Sequence, residues 1–493
     1  MREPTVSGDL FIGLDVGTQG ARAIACDAQG HAVAQARAPF PGKAAEPQPG
    51  WHEQEPEDWW QAAASCLAEL SEAARKAGSA RQALSRIAVT STSGTVVLLD
   101  EENRPLRPAI MYSDGRAGAQ AQRANAAAKV FIRKLGYRFS ASFALPKLLW
   151  LAEHEPQTFE AAARIVHAAD FLVGRLTGRF DVTDTSNVLK TGYDLADHRW
   201  PAFMARKLHV PLSKFPRIVR PGETVARVLP DVADAVGLSR TALVAAGATD
   251  GTAAFLASGA SQPGQWCSTL GTTLVLRGVS AVLIRDPQGR VYCHAHPEGH
   301  WLPGAASNVG GECLEARFGE RDLAALDAQA PEHLPNDLVL YPLARRGERF
   351  PFIDPDAEGF VRGEPDSEAE LYAATLEAVA FVERWGFDVM AELGAPVVEP
   401  LFVSGGAAAS DVWLALRADV LDRPLRVAAD AHSAKGAALL AAAEPLGSLG
   451  RAVEAMVHFE KAVEPRSDLR AYLDEKYRRF REACAQVYPA AGA

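Results

Sequence analysis

Two short segments far apart in the chain share one plan, and that plan narrows the folds open to it. LFIGLDVGTQGAR (residues 10–22) is an apolar run, a Gly-Thr turn and a second run, and STLGTTLVL (residues 268–276) repeats the arrangement. Short apolar runs broken by such turns read as paired strands rather than as helix. In the first segment the strand ends in Asp15, and Gly17, Thr18, Gln19 and Gly20 follow. Glycine at this turn lets backbone N–H groups approach an anion and threonine adds a hydroxyl donor, so the turn reads as a phosphate cradle that needs no lysine. Asp15 is then placed to hold Mg2+ through water, because magnesium keeps much of its hydration shell. For one such turn alone, a β-hairpin with an aspartate at its shoulder is the competing reading. Two cradles facing across a cleft would clamp a polyphosphate. No GxxxxGK[ST] stretch occurs, and Lys43 in PGKAAE lacks the glycine spacing, which excludes a P-loop.

The pattern around these turns predicts an α/β chain with mixed sheets. Strands are expected at 10–14, 21–27 and 31–38 as an antiparallel meander, then a helix over 57–76 opened by Pro56 and closed by Gly78. Further strands follow at 87–92 and 96–99, and 117–240 reads as mostly helical. Near residue 241 the scheme restarts with a strand at 242–246, a small-residue helix, and strands at 266–270 and 272–276. A long helix is expected over 368–393, then strand 401–403, helix 411–421, strand 425–427, helix 434–442 and a C-terminal helix over 467–487. This places a domain boundary near residue 245, giving domains 1–245 and 246–493.

Composition excludes several classes. With 493 residues, 48% hydrophobic and 23% charged, the chain can fill two or three cores and is not a disordered one. A net charge of −10 offers no basic field for nucleic acid or anionic lipid. Residues 251–276 carry no charge, but glycines, Gln262, Pro263 and Gln265 interrupt them, so a membrane span is rejected there. The N-terminal MREPTVSGD leads into an apolar stretch too short for a signal peptide, and the expected location is cytoplasmic. Six cysteines without a CxxC pair fit reduced thiols, and Cys293, His294 and His296 lack a second ligand cluster at zinc spacing.

Two further segments carry chemistry. GATDGT (residues 247–252) sets Asp250 at the end of a buried-type strand and at a helix start. There it reads either as an N-cap or as a fixed, partly desolvated general base. SGGAAASDVW (residues 404–413) follows a strand and opens a helix, so its glycines either allow close approach of a ligand or serve packing.

Taken together and in order, DVGTQGAR, GWHEQEPEDWW (50–60), PAIMYSDGRA (108–117), GATDGTAAF (247–255), STLGTT, SGGAAASDVW with ADVLDRP (418–424), and AKGAALLA (434–441) resemble the FGGY family of carbohydrate kinases. The resemblance covers nearly the whole chain. It implies two RNase H-like domains of the actin, Hsp70 and hexokinase superfamily around a central cleft, with ATP, Mg2+ and a small-molecule sugar as ligands. By the same resemblance Asp250 matches the catalytic base and Asp15 the magnesium-associated carboxylate. Gly17, Thr18, Gln19 and Arg22 match the first phosphate motif, Gly271 and Thr272 the second, and Gly405, Gly406 and Asp411 the adenosine motif. A homodimer is compatible with it. An ATP-dependent interaction protein of the actin or Hsp70 kind would share the phosphate turns but leave 50–60 and 108–116 without a role.

Departures from the family pattern bear on the sugar. Xylulokinases usually carry Met-His-Gly-Gln or a close variant where this chain has Thr92-Ser93-Gly94-Thr95. The set TSTSGTVVLLD (90–100), Tyr292-Cys293-His294 and GAASNVGG (304–311) resembles instead the plant and cyanobacterial branch that phosphorylates D-ribulose. The expected substrate is therefore D-ribulose, with D-xylulose or another ketose or polyol as the alternative, and Thr92, Ser93 and Asp114 as sugar contacts. Asp411 stands where the family commonly has Asn near the adenine, and Tyr112-Ser113 replace the usual Trp-Asn or Trp-Gln.

Overall fold

The computed structural model describes residues 8–491; the MREPTVS stretch of the N-terminal reading lies outside them. The chain divides into two compact units. The first comprises Met1–Gly259, His294–Gly299 and Asp430–Val457, and the second Ala260–Cys293, His300–Ala429 and His458–Ala493.

The sheet of the first unit is built on the expected meander. Its strands are Leu10–Val16, Gly20–Cys26 and Ala32–Pro39, each antiparallel to the next. On the far side of Leu10–Val16 lie Leu84–Ser91 and Leu243–Ala245, both parallel to it, with Thr224–Arg227 as the antiparallel edge. Alternation along Leu10–Val16 decides what packs where. Leu10, Ile12, Leu14 and Val16 share a core with the Pro56–Lys76 helix, whose buried stripe includes Trp59, Ala62, Ala63, Cys66, Leu67 and Leu70. Gly13 points the other way, onto the Ser433–Ala443 helix, where an added Cβ would lie 1.8 Å from the Ala434 carbonyl oxygen and 2.5 Å from the Ala438 nitrogen. Both obstacles are backbone, so neither can rotate aside. Gly13→Ala is expected to destabilise the fold by about 1–3 kcal/mol or more, read as a lowered urea midpoint.

The second unit repeats the plan around a seven-stranded sheet. Its order is Tyr292–Ala295, Trp301–Ala306, Leu274–Gly278, Trp266–Leu270, Leu401–Ser404, Leu425–Ala428 and Phe459–Val463. Trp266–Leu270, Leu401–Ser404 and Leu425–Ala428 are mutually parallel. The Glu368–Glu392 helix is buried along most of its length and packs on Asp411–Leu421, across which Arg417 forms a two-pronged ion pair with Glu383 in a fully buried setting.

Three sequence expectations need correction. The boundary falls after Gly259 rather than near residue 245, because the Asp250–Ala257 helix packs on Ser433–Ala443, so that Gly436 abuts the Ala253 carbonyl. The restart accordingly begins at Trp266, and Leu243–Ala245 completes the first sheet. Within 117–240, short strands Arg164–Val166, Val182–Asp184, Arg217–Val219 and Thr224–Arg227 interrupt the helices. Three or four residues carry too little periodicity to announce a strand. Among the described residues no helix is long and apolar enough to cross a membrane, and 251–276 splits into a helix and strands.

Candidate active site

In open α/β sheets ligands gather at the carboxyl ends of parallel strands. Three such ends meet in the first unit. Asp15 ends Leu10–Val16 and lies opposite Thr90 of Leu84–Ser91, whose next residue, Ser91, bridges to Thr249 beyond the third strand. Asp15 and Asp250 therefore stand at one sheet edge. The central strand holds both flanking turns: the Thr90 hydroxyl donates to the Ala248 carbonyl at 2.7 Å, and the Ser91 hydroxyl to the Val16 carbonyl at 2.7 Å. Gly247 is required for this approach, since a Cβ there would sit 1.6 Å from the Val89 oxygen.

Burial, first, and then the charge of Asp250 push the Asp15 carboxyl up to about 7, against a smaller opposing pull from Arg22. One of its oxygens, Oδ1, is buried and has no protein hydrogen-bond partner. Asp250 is not an N-cap. Thr249 occupies that position, Asp250 begins the helix, and its carboxylate accepts the adjacent Gly251 N–H at 2.6 Å.

The Gly17–Gly20 turn closes through the Gly17 N–H on the Gly20 carbonyl, and Thr18 and Gln19 are exposed. Gln54 supports it by donating to the Thr18 carbonyl at 2.9 Å while accepting from the Trp59 indole. This gives GWHEQEPEDWW a concrete task.

The Thr92–Thr95 turn continues the central strand. Thr92 and Thr95 bond each other through their hydroxyls at 2.7 Å, whereas the buried Ser93 Oγ has no protein partner. Asp114 is buried two residues beyond Tyr112, whose N–H donates to the Thr95 hydroxyl at 3.2 Å. Its carboxylate accepts from the Arg116 guanidinium and from the His52 N–H at 2.7 Å, and Arg116 lies between the rings of Trp51 and Trp150, 4.0 and 4.9 Å from their centroids. Through these bonds Asp114 also holds the turn that carries Trp51 and His52. Sequence reasoning missed Lys147, which is wholly buried and donates to the Gly94 and Ser142 carbonyls, and Lys190, which donates to the Ser93 carbonyl. A lysine inside an apolar helix, such as Lys147, or in a short 3-10 turn, such as Lys190, carries no separate signal.

In the second unit the Gly271–Thr273 turn packs under Gly310 and Gly311, the Gly311 N–H donating to the Gly271 carbonyl at 2.7 Å. Gly405 adopts φ +92° directly over the Leu270 carbonyl, a place no side chain fits. Gly271, Thr272 and Gly406 line one cavity of about 770 Å3 together with Glu312, Tyr372, Ser410 and Trp413. Asp411 is not among the lining residues. It projects into solvent and pairs with Lys461 at 2.7 Å, while Ser410 caps the helix.

Residues 10–257 match the FGGY family of carbohydrate kinases, N-terminal domain, and residues 269–444 match its C-terminal domain. The chain belongs to this family. As an FGGY carbohydrate kinase it is a phosphotransferase acting on a small-molecule sugar with ATP as co-substrate. It is 31% identical over 455 residues to a xylulose kinase of Escherichia coli (strain K12), covering 89% of this chain and 91% of that one. Among solved structures it superposes on a xylulose kinase from Rhodospirillum rubrum with a TM-score of 0.86 at 31% identity, covering 98% of this chain and 100% of the other. A xyloylose kinase from Brucella ovis gives 0.87 at 27% identity, covering 98% and 99%. The α/β architecture of this FGGY kinase is thus that of its solved relatives.

Proposed function

We propose that this FGGY kinase transfers the ATP γ-phosphoryl group to a hydroxyl of D-xylulose, with Asp250 as general base. The observation that carries the mechanism is the pair Asp15 and Asp250 at one sheet edge, each on a turn held by the same strand, with Asp250 released from capping. The sugar is taken from relatives named xylulose kinase at 31% identity over most of the chain. That reading takes precedence over the D-ribulose expectation, which rests on a four-residue turn.

Asp250 accepts the hydroxyl proton as the oxygen attacks, and phosphoryl transfer through a loose transition state leaves most of the work to positioning and charge. The exposed Thr18 supplies its hydroxyl to phosphate oxygens from a turn that the Gly17 N–H closes, and Thr272 does the same in the second unit from a turn that the Gly271 N–H closes. Gly405 and Gly406 admit the adenosine to the cavity walled by Trp413 and Tyr372. The unpartnered, buried Asp15 Oδ1 fits a hydrated Mg2+, a hard cation that takes oxygen ligands. When bound, that ion would neutralise charge on the phosphates; Asp15 would hold it and Arg22 would offset the remaining charge.

The second reading, D-ribulose, is favoured by one observation: Ser93 presents a buried hydroxyl without a protein partner where xylulokinases usually place histidine. The two sugars differ at C3, and a site that hydrogen-bonds one hydroxyl rejects the epimer by leaving a polar group unpaired. A coupled ADP-release assay across ketopentoses, glycerol and aldoses is expected to give the highest kcat/KM with D-xylulose. A lead for D-ribulose of about tenfold, some 1.4 kcal/mol in transition-state binding, selects the second reading. Absence of turnover with every sugar overturns both.

A further inference from the structure

The turn bearing Asp250 and the turn bearing Thr92 and Ser93 are gripped by the two ends of one short segment. At one end the Ser186 Oγ accepts the Thr249 N–H at 2.9 Å and donates its own proton to Asp184. At the other end the Lys190 Nζ donates to the Ser93 carbonyl at 3.0 Å. Between them Val188–Thr191 forms a 3-10 turn, and the Thr191 hydroxyl is fixed against the His167 Nε2 at 2.8 Å.

The Asp184 carboxylate explains why this segment is stiff. It is buried and accepts from the Ser186 N–H at 2.8 Å, the Asn187 N–H at 3.1 Å and the Asn187 side-chain amide at 2.6 Å, besides the Ser186 hydroxyl. A carboxylate with its acceptor sites filled by two consecutive residues fixes the direction of the Ser186 O–H, which leaves the oxygen's lone pairs for Thr249. The amide so held belongs to the residue before Asp250, so a shift at Ser186 moves the carboxylate itself. At the sugar turn Lys190 shares the load with Lys147, which donates to the next carbonyl, Gly94, at 2.9 Å.

We propose that the segment from Asp184 to Lys190 is a strut that sets the spacing between the general base and the sugar turn, with Ser186 and Lys190 as positioning residues. This rests on the reading of Asp250 as base and of the Thr92–Ser93 turn as a sugar contact. Misplacing a reacting group by about 1 Å can cost a hundredfold in rate, so a partial release at one end has a measurable price.

The test is steady-state kinetics on the full-length enzyme, with D-xylulose and D-ribulose each varied at saturating ATP. Ser186→Ala is expected to lower kcat about tenfold with sugar KM changed less than about twofold, because it frees the base and leaves the sugar turn held. Lys190→Met is expected to raise sugar KM about five- to tenfold with a smaller change in kcat, and Lys190→Arg to restore most of it. The double variant should lose less than the product of the two, since releasing one end of a strut makes the other matter less. If Ser186→Ala fails to fold, the Met and Arg variants at Lys190 carry the test alone. Wild-type kinetics in Ser186→Ala and Lys190→Met overturn the strut, as does a parallel fall of kcat, sugar affinity, ATP affinity and Tm in both. Asp250→Asn in the same assay separates the two levels: an inactive Asp250→Asn beside wild-type-like strut variants refutes the strut alone, and an active one refutes the base assignment beneath it.

Discussion

Asp250→Asn is expected to lower kcat for sugar phosphorylation by about 10²- to 10⁴-fold while leaving ATP affinity and stability near those of the wild type. Asparagine has the shape of aspartate and keeps an oxygen for the Gly251 N–H, but it accepts no proton from an attacking hydroxyl. Helix stability is insulated from the change. Thr249, not Asp250, holds the N-cap position, and its backbone is fixed by the Ser186 hydroxyl while the Ala248 carbonyl is fixed by Thr90. The Tm should therefore not fall by more than a surface substitution lowers it, about 0.5 kcal/mol in stability, and relief of the repulsion with Asp15 acts in the stabilising direction. Coupled ADP release measures the turnover, and titration calorimetry with ATP measures the binding. Turnover at the wild-type rate removes Asp250 from the role of base.

Much of this could be read from the chain because the turns are local. A strand and a Gly-Thr turn lie within ten residues, and backbone geometry at glycine is dictated by neighbours in sequence, so the chain's local pattern marks the turns at Gly17 and Gly271. The helix over Asp411–Leu421 was also legible to the residue, because a capping serine and a sustained apolar period mark both of its ends. What failed depended on distant packing. Nothing near residue 245 indicates that Asp250–Ala257 must lie against a helix almost two hundred residues later, a contact that moves the unit boundary past Gly259. The surroundings of Asp114 are equally unreadable: besides the local Arg116, its carboxylate holds the His52 amide 62 residues upstream, and Trp51 and Trp150 flank Arg116 from two further segments. The supports at Lys147, Asp184, Ser186 and Lys190 were invisible for the same reason: each is an ordinary residue in its own element and becomes informative only through a partner across the fold.

Asp15→Asn should abolish most activity and yet make the protein more stable at and above neutral pH. The Asp15 carboxyl is held up to about 7 in the folded protein, chiefly by burial and then by Asp250, against 3.8 for a free aspartate. Between those two values the folded state carries a proton that the unfolded chain has lost, so stability falls as pH rises through the window, and the penalty is complete above about 7. A shift of this size corresponds to about 4 kcal/mol if the group were sealed from water; Asp15 is half-buried, and solvent screening reduces this to on the order of 2 kcal/mol. Asparagine carries no charge, which removes both the desolvation cost and the repulsion with Asp250. In chelator at pH 8 the variant should thus melt a few degrees above the wild type, and the difference should shrink to nothing as the pH is lowered towards 4. Activity should fall by orders of magnitude, because the neutral amide is a poorer partner for a hydrated divalent cation. Added Mg2+ should raise the wild-type Tm and leave the variant's nearly unchanged, since the ion stabilises only the state that binds it. A variant that melts below the wild type at pH 8, or one whose turnover and magnesium dependence match the wild type, sinks the assignment of Asp15. On the proposed reading, a carboxylate kept at this sheet edge against its own electrostatic cost is what holding a hydrated Mg2+ would require, since the charge that weakens the empty protein is the charge that would attract the cation.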